Sequence, residues 1–239
     1  MSVYKYDLEV DVHDVDFNGV ARASSIMKYI QSAAQSQLTA NGMTYEALYG
    51  RKRAFLLSRI RIEIDEPIRA YSPLVASSFP CESRGYSFLR CYTIERDGIR
   101  IGRAASVWAL IDTETRGLVK VNDFDLGLTL HDPIDLTLGH FRMPKELSEV
   151  GRYRADYSNT DQNRHMNNTK YPDMYSAFLP LEGKRIKSIA INYANEAPLG
   201  EELRVFMAKE DGAYYFRTIR EDGKINSEAE ILLCSIEDC

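Results

Sequence analysis

The chain has 239 residues, 44% hydrophobic and 27% charged, with a formal net charge of −5. That length suits one large domain or two modest ones, each with a real core, and the acidic balance argues against a general nucleic-acid binder. No apolar run approaches the roughly 18 residues a membrane helix needs, and the alternating, charged start MSVYKYDLEVDVHD reads as neither a signal nor a transit peptide, so a cytoplasmic protein is expected.

The first strand-like stretch carries His13 and leads into Asp16-Phe17-Asn18. A helix follows. Its apolar positions Ala23, Ile26, Met27, Ile30, Ala33, Ala34 and Leu38 keep the i, i+3, i+4, i+7 spacing. Thr39–Phe55, rich in Gly, Tyr and Arg, reads as an insertion. Alternating strands come next at Ile60–Ile64 and Leu74–Ala76, then a hairpin turning at Asp97-Gly98 and returning over Ala104–Ile111. Residues 121–150 break the pattern with Gly and Pro and read as a linker. After it the series repeats: Asp161-Gln162-Asn163, a helix with Tyr171, Met174, Tyr175, Phe178 and Leu179, and strands at Ile189–Tyr193 and Leu203–Phe206. A hairpin at Asp222-Gly223 follows, with a return strand over Ala229–Ile236. The offset between copies falls from 145 at D-x-N to 129 at the first strand and 125 at the hairpin, so the first copy has the longer connections. One helix and several antiparallel strands per copy must bury each other's apolar faces. The expected fold class is α+β: two tandem hotdog domains, each an antiparallel sheet wrapped around one long helix. Residues 1–120 form the N-terminal domain, 121–150 the linker and 151–239 the C-terminal domain.

Aligned on D-x-N, the second copy has His165 where the first has Val20, and Asn167-Asn168 where the first has Arg22-Ala23. This asymmetry suggests one active copy and one binding or structural copy. Of the other histidines, His131 and His140 fall in the linker. His165 instead stands among Asp161, Asn163, Asn167 and Asn168, at the expected start of a helix. Free N–H groups there suit a developing oxyanion, a His or carboxylate can activate water, and Asn163 can orient water or carbonyl. The bland alternative is turn and cap chemistry, which also favours Asp and Asn. G-x-S-x-G, H-E-x-x-H, Walker A and G-x-G-x-x-G are absent. Cys81, Cys91, Cys234 and Cys239 form no CxxC pair and no zinc spacing. Cys91 and Cys234 read as buried free thiols. No metal and no cofactor are expected.

Asp161-Gln-Asn163-Arg-His165-Met-Asn167-Asn168-Thr-Lys170-Tyr171 resembles the D-x-N-x-H-x-N-N-x-K-Y motif of acyl-acyl-carrier-protein thioesterases. Trp108-Ala-Leu-Ile-Asp112-Thr-Glu-Thr115-Arg116 and Ile191-Asn-Tyr193-Ala-Asn-Glu196-Ala197 resemble two further segments of that family, in the same order. The resemblance implies hydrolysis of acyl-acyl-carrier-protein in fatty acid biosynthesis. It places Asp161, Asn163, His165 and Glu196 at functional positions, with Glu196 preferred as base, Asp161 as an anchor, and His165 oriented by Asp161 as the rival mechanism. The family's Cys position is Ala197 here, which removes a Cys nucleophile, and Asn159 stands where relatives often have Asp. The absence of a transit peptide implies a bacterial type. In such a protein the first hotdog would hold the acyl chain, with Ile26, Met27 and Ile30 as candidate tunnel residues. The implied partner is acidic acyl carrier protein, docking on a basic patch such as Arg152, Arg154, Lys184, Arg185 and Lys187, or Arg51-Lys52-Arg53. No nucleic acid or membrane partner is expected, and pairing into a homodimer is compatible. The competing readings are an acyl-CoA thioesterase or other hotdog enzyme such as a dehydratase, and a non-catalytic acyl-binding protein.

Overall fold

Strict alternation of half-buried and exposed side chains makes Tyr4–Glu9 a strand, β1. The computed structural model describes residues 3–138 and 141–237. His140 and Cys239, singled out above, lie outside the described residues. Helix α1, Ala23–Ala40, runs 18 residues because one face is uninterrupted: Ile26, Met27, Ile30, Ala33 and Ala34 are buried. It ends where Asn41 and Gly42 turn back on Leu38 and Thr39, with Gly42 at a φ of 72°. A short helix α2, Tyr45–Gly50, is capped by Thr44, whose hydroxyl accepts the Ala47 N–H. Strands β2 (Arg53–Ile64), β3 (Pro73–Pro80), β4 (Phe88–Arg96), β5 (Ile99–Asp112) and β6 (Leu118–Val119) complete the first half. The second half comprises β7 (Ser148–Arg154), helix α3 (Tyr171–Ser176), β8 (Lys184–Tyr193), β9 (Glu202–Glu210), β10 (Ala213–Ile219) and β11 (Ile225–Ser235).

All these strands join one antiparallel sheet in the order β1-β3-β4-β5-β2-β8-β11-β10-β9-β7, with β6 on β5. The order reads the same from either end once β1 is matched to β7, β2 to β8, and so on. The halves meet where Ile60 pairs Ile191, Arg61 pairs Ala190 and Ile62 pairs Ile189. Ile60 and Ile189 are equivalent in the repeat, so a pseudo-twofold axis passes through the Arg61–Ala190 pair. The four isoleucines are 1–2% exposed, and burial of each contributes about 1.5–3 kcal/mol. Arg61 adds an ion pair to Glu230 at 2.9 Å.

Three expectations change. The second helix is six residues, not long. Its apolar positions Phe178 and Leu179 fall in a turn, because Pro180 disfavours helix at the residue before it and the chain must enter β8 by Lys184. His13 lies in a 3-10 turn, Val12–Asp14, not a strand. The hairpins also differ. Asp97 and Gly98 both have positive φ, as a two-residue type I′ turn requires. At the second, Gly223 N–H bonds Arg220 and only the glycine has positive φ, so one more residue fits and β10 takes a register shift at Thr218/Ile219.

The stretch read as a linker is more than a tether. β7 already starts at Ser148 within it. Ile134, Leu136 and Leu138 pack on Phe79, Cys81, Cys91 and Ala105 of the first half, and His131 lies edge-on to Phe79 at 5.5 Å. Cys81 and Cys91 are buried free thiols, while Cys234 is only half-buried.

Candidate active site

The two D-x-N turns share one backbone pattern. Asp161 N–H donates to the His165 carbonyl at 2.9 Å and Arg164 N–H to the Asp161 carbonyl at 2.9 Å. The Asp161 carboxylate accepts the Asn163 N–H at 2.8 Å. In the first half Asp16, Asn18, Gly19 and Val20 repeat each of these bonds. Asp161 is therefore a turn residue. Its carboxylate is spent on the Asn163 N–H, while the His165 ring pairs with Glu196. Arg164 takes the left-handed position (φ 62°) that Gly19 fills in the first copy (φ 71°).

Main-chain pairing then brings in the distant carboxylate. Met166 N–H donates to Ala197 at 2.8 Å and Leu199 N–H to Arg164 at 2.8 Å, so His165 lies opposite Pro198. This sets His165 Nε2 3.5 Å from Glu196 Oε2, with the two side chains 30% and 45% exposed. The loop bearing Glu196 is held by buried Asn226, whose amide donates to the Asn195 carbonyl at 2.5 Å and to the Tyr171 hydroxyl at 3.0 Å. Burial, with the nearby Glu196 charge adding, pushes Tyr171 up to about 12. Ala197 is fully buried, so its side chain belongs to the core.

His165 does not stand at a helix N-terminus as expected. The first helical turn after it is the 3-10 segment Asn168–Lys170, and Asn167 caps it by accepting the Thr169 N–H and hydroxyl. Asn168 accepts from Gln31 of α1 at 3.1 Å and its carbonyl from Tyr193 at 2.9 Å. Both asparagines are structural. So is Asn159, 4% exposed and bonded to the backbone of Arg154 and Asp156.

Asn163, His165 and Glu196 line a cavity of about 980 Å³, together with Gln162. The other walls come from the first half and the crossing segment: Leu38, Leu48, Phe55, Phe88, Trp108 and Ile111, then Phe124, Leu126, Leu128 and Leu130. Asp161 is not among the lining residues. Tyr45 of α2 reaches the site, its hydroxyl donating to Asn163 Oδ1 at 3.1 Å. Gln162 and Tyr45 were missed in the sequence; the Tyr-rich insertion was the only signal for Tyr45. Met27 and Ile30 are fully buried core and do not line this cavity, and Ile26 faces a smaller one of about 330 Å³. The basic cluster also dissolves. Arg185 is buried, donating to the Ile64 and Asp65 carbonyls at 2.8 Å. Arg152, on the far strand β7, pairs with Glu202 at 2.6 Å. Among the described residues, no helix is long and apolar enough to cross a membrane.

Comparisons with known proteins agree with this architecture. A solved acyl-ACP thioesterase from Bacteroides thetaiotaomicron is 22% identical, with a TM-score of 0.85 over 96% of this chain and 97% of that one. The 12:0-ACP thioesterase of Umbellularia californica is 16% identical, with a TM-score of 0.83 over 98% and 97%. The chloroplastic palmitoyl-acyl carrier protein thioesterase of Arabidopsis thaliana is 20% identical over 220 residues, 81% of this chain; the chain spans about half (52%) of that relative's length. The acyl-ACP thioesterase N-terminal domain profile matches residues 1–125 and the C-terminal domain profile residues 143–234. Together these span both halves of the sheet and the turn that carries His165, and the chain belongs to the acyl-ACP thioesterase family.

Proposed function

We propose that this protein hydrolyses the thioester of acyl-acyl-carrier-protein and releases a free fatty acid. The observation that carries this reading is the placement of Asn163, His165 and Glu196 together on the wall of one large, mostly apolar cavity. The chain is then two hotdog units joined by residues 121–150, the first holding the acyl chain and the second supplying the chemistry. Asn163 Oδ1 is occupied by Tyr45, which leaves Nδ2 as the donor for the thioester carbonyl oxygen. Glu196 accepts a proton from water as the water oxygen attacks the carbonyl carbon. Glu196 passes that proton to His165, 3.5 Å away, and as the C–S bond breaks His165 gives it to the leaving sulfur, freeing thiol and fatty acid. Asp161 supports this arrangement through the turn.

The partner is acyl carrier protein, met at the cavity mouth by Arg116, which lines it, and by Arg164, between two lining residues. An acidic partner on exposed arginines gives salt-sensitive association. Neither nucleic acid nor membrane is a partner, the setting is the cytoplasm and fatty acid biosynthesis, and a homodimer is compatible. The test is a panel of acyl chains on carrier protein and on CoA, with wild type and His165→Ala. Hydrolysis on carrier protein that falls more steeply with salt than on CoA supports the reading; equal rates and slopes point to an acyl-CoA enzyme. Single turnover in H₂¹⁸O separates mechanisms, since label in Glu196 would exclude simple water activation.

A further inference from the structure

The inner wall of the cavity holds a charge that hydrocarbon does not need. Arg90 of β4 lines the cavity and is 7% exposed. Its Nη1 donates to Gln37 Oε1 of α1 at 2.6 Å and to Ser78 Oγ at 2.7 Å, both neutral. Among the described residues no carboxylate pairs with it, and burial pulls its pKa below the usual guanidinium value. Among the described residues its other N–H donors meet no partner, yet they are not sealed off as the unpartnered Arg61 Nε and Arg185 Nε are. They therefore open on the cavity. Other arginines of low exposure have plain structural work: Arg61 pairs with Glu230, Arg220 with Glu201, and Arg185 ties down the end of β2. Arg90 instead ties Gln37 of α1 to Ser78 of β3 through Nη1 alone, and the rest of its guanidinium is left over for a ligand.

Its position is far from the chemistry. Arg90 pairs with Ser106 of β5, which pairs with Ile60 of β2, which pairs with Ile191 of β8. That is three strand spacings, about 14 Å, from the half that carries His165 and Glu196. A chain attached through its thioester at Asn163 and His165 meets Arg90 with its distal part. A guanidinium there is satisfied by an acceptor oxygen, most strongly a charged one.

We propose that the cavity takes acyl chains bearing an acceptor oxygen away from the thioester, as a hydroxyl, oxo or carboxylate group, and that Arg90 is the residue that selects them. This rests on the thioesterase reading above. The test uses the full chain and thioesters of one chain length: plain, hydroxylated, oxo-substituted and ending in carboxylate. In wild type, kcat/KM for at least one oxygenated chain should exceed the plain chain tenfold or more. Arg90→Met should lower that ratio at least tenfold with the plain substrate little changed, and Arg90→Lys should keep part of it. A wild-type preference for the plain chain over all three, or the same oxygenated preference in Arg90→Met, overturns the proposal. A binding arm stands apart from catalysis: displacement of a fluorescent fatty acid from Glu196→Gln by the same chains as primary amides. If no thioester is cleaved, the hydrolase reading fails, and this arm still decides on Arg90. Tighter binding of an oxygenated amide supports the proposal; equal or weaker binding overturns it.

Discussion

The turns Asp16–Val20 and Asp161–His165 have one backbone and two uses. In each, the aspartate holds the chain reversal. The asparagines then part company. Asn18 reaches across the pseudo-twofold axis and clasps the connection before β8, donating to the Leu181 and Lys184 carbonyls at 2.7 and 3.0 Å and accepting the Gly183 N–H at 3.1 Å. Asn163 meets no such clasp. The equivalent connection before β2 is longer and contains α2, which offers only the Tyr45 hydroxyl. A longer loop in one half thus frees a side chain in the other. Duplication supplied the turn twice: the second copy lines the large cavity and the first only the smaller one.

The comparison can be broken most severely at the groups only one copy has. Glu196→Gln should lower kcat on acyl-carrier-protein by about 10²–10⁴-fold, the span of general acid–base effects, with the melting temperature nearly unchanged since Glu196 is exposed. Retained activity would remove it from the chemistry. Next come the two asparagines, which should trade places. Asn163→Ala should cost about 10²-fold in kcat and little stability. Asn18→Ala should leave kcat near wild type and cost about 2 kcal/mol in urea unfolding, through its three lost bonds to the backbone. Equal effects on both quantities would mean the turns are not specialised.

The aspartates should instead behave alike. Asp16→Ala and Asp161→Ala should each lose about 1–2 kcal/mol of stability, and Asp161→Asn, which keeps an acceptor, should retain most activity. A His165-specific change in the pH profile of Asp161→Asn would revive Asp161 as its partner. Tyr45→Phe should lower kcat/KM by about 3–10-fold, one hydrogen bond's worth. The smallest effect concerns acid. The backbone N–H of Thr115, with that of Glu114 and the Arg53 guanidinium, holds Asp112 at about 2, below its ordinary 3.8. A depressed carboxyl stabilises the fold above its unfolded pKa and loses that contribution as pH falls towards the folded value. Loosening of this cavity edge should therefore appear between about pH 4 and pH 2, and Asp112→Asn should flatten that part of the melting curve.

Much of this was legible before any coordinates. Hydrophobic period alone marked α1 and most strands, because amphipathic faces repeat at fixed spacing whatever they later bury. The repeat exposed the Val20–His165 difference, and two family-like segments pointed to Asn163 and to Glu196. The errors share a cause. Phe178 and Leu179 keep helical spacing but sit beside Pro180; Met27 and Ile30 are apolar like a tunnel wall but lie under the sheet; Arg185 is basic like a docking residue but ends on backbone carbonyls. Composition does not say which side of a wall a residue faces.

The Asp161–His165 turn and its copy at Asp16–Val20 are local matters, determined by the sequence itself, since each aspartate carboxylate accepts the backbone N–H two residues on. That His165 meets Glu196, that Asn163 is free where Asn18 is clasped, and that Arg90 faces the cavity were decided only by tertiary structure. The first depends on main-chain pairing within the second half, the second on the length of a loop in the opposite half and the third on strand register, and pairing between segments dozens of residues apart leaves no mark in the residues that it brings together.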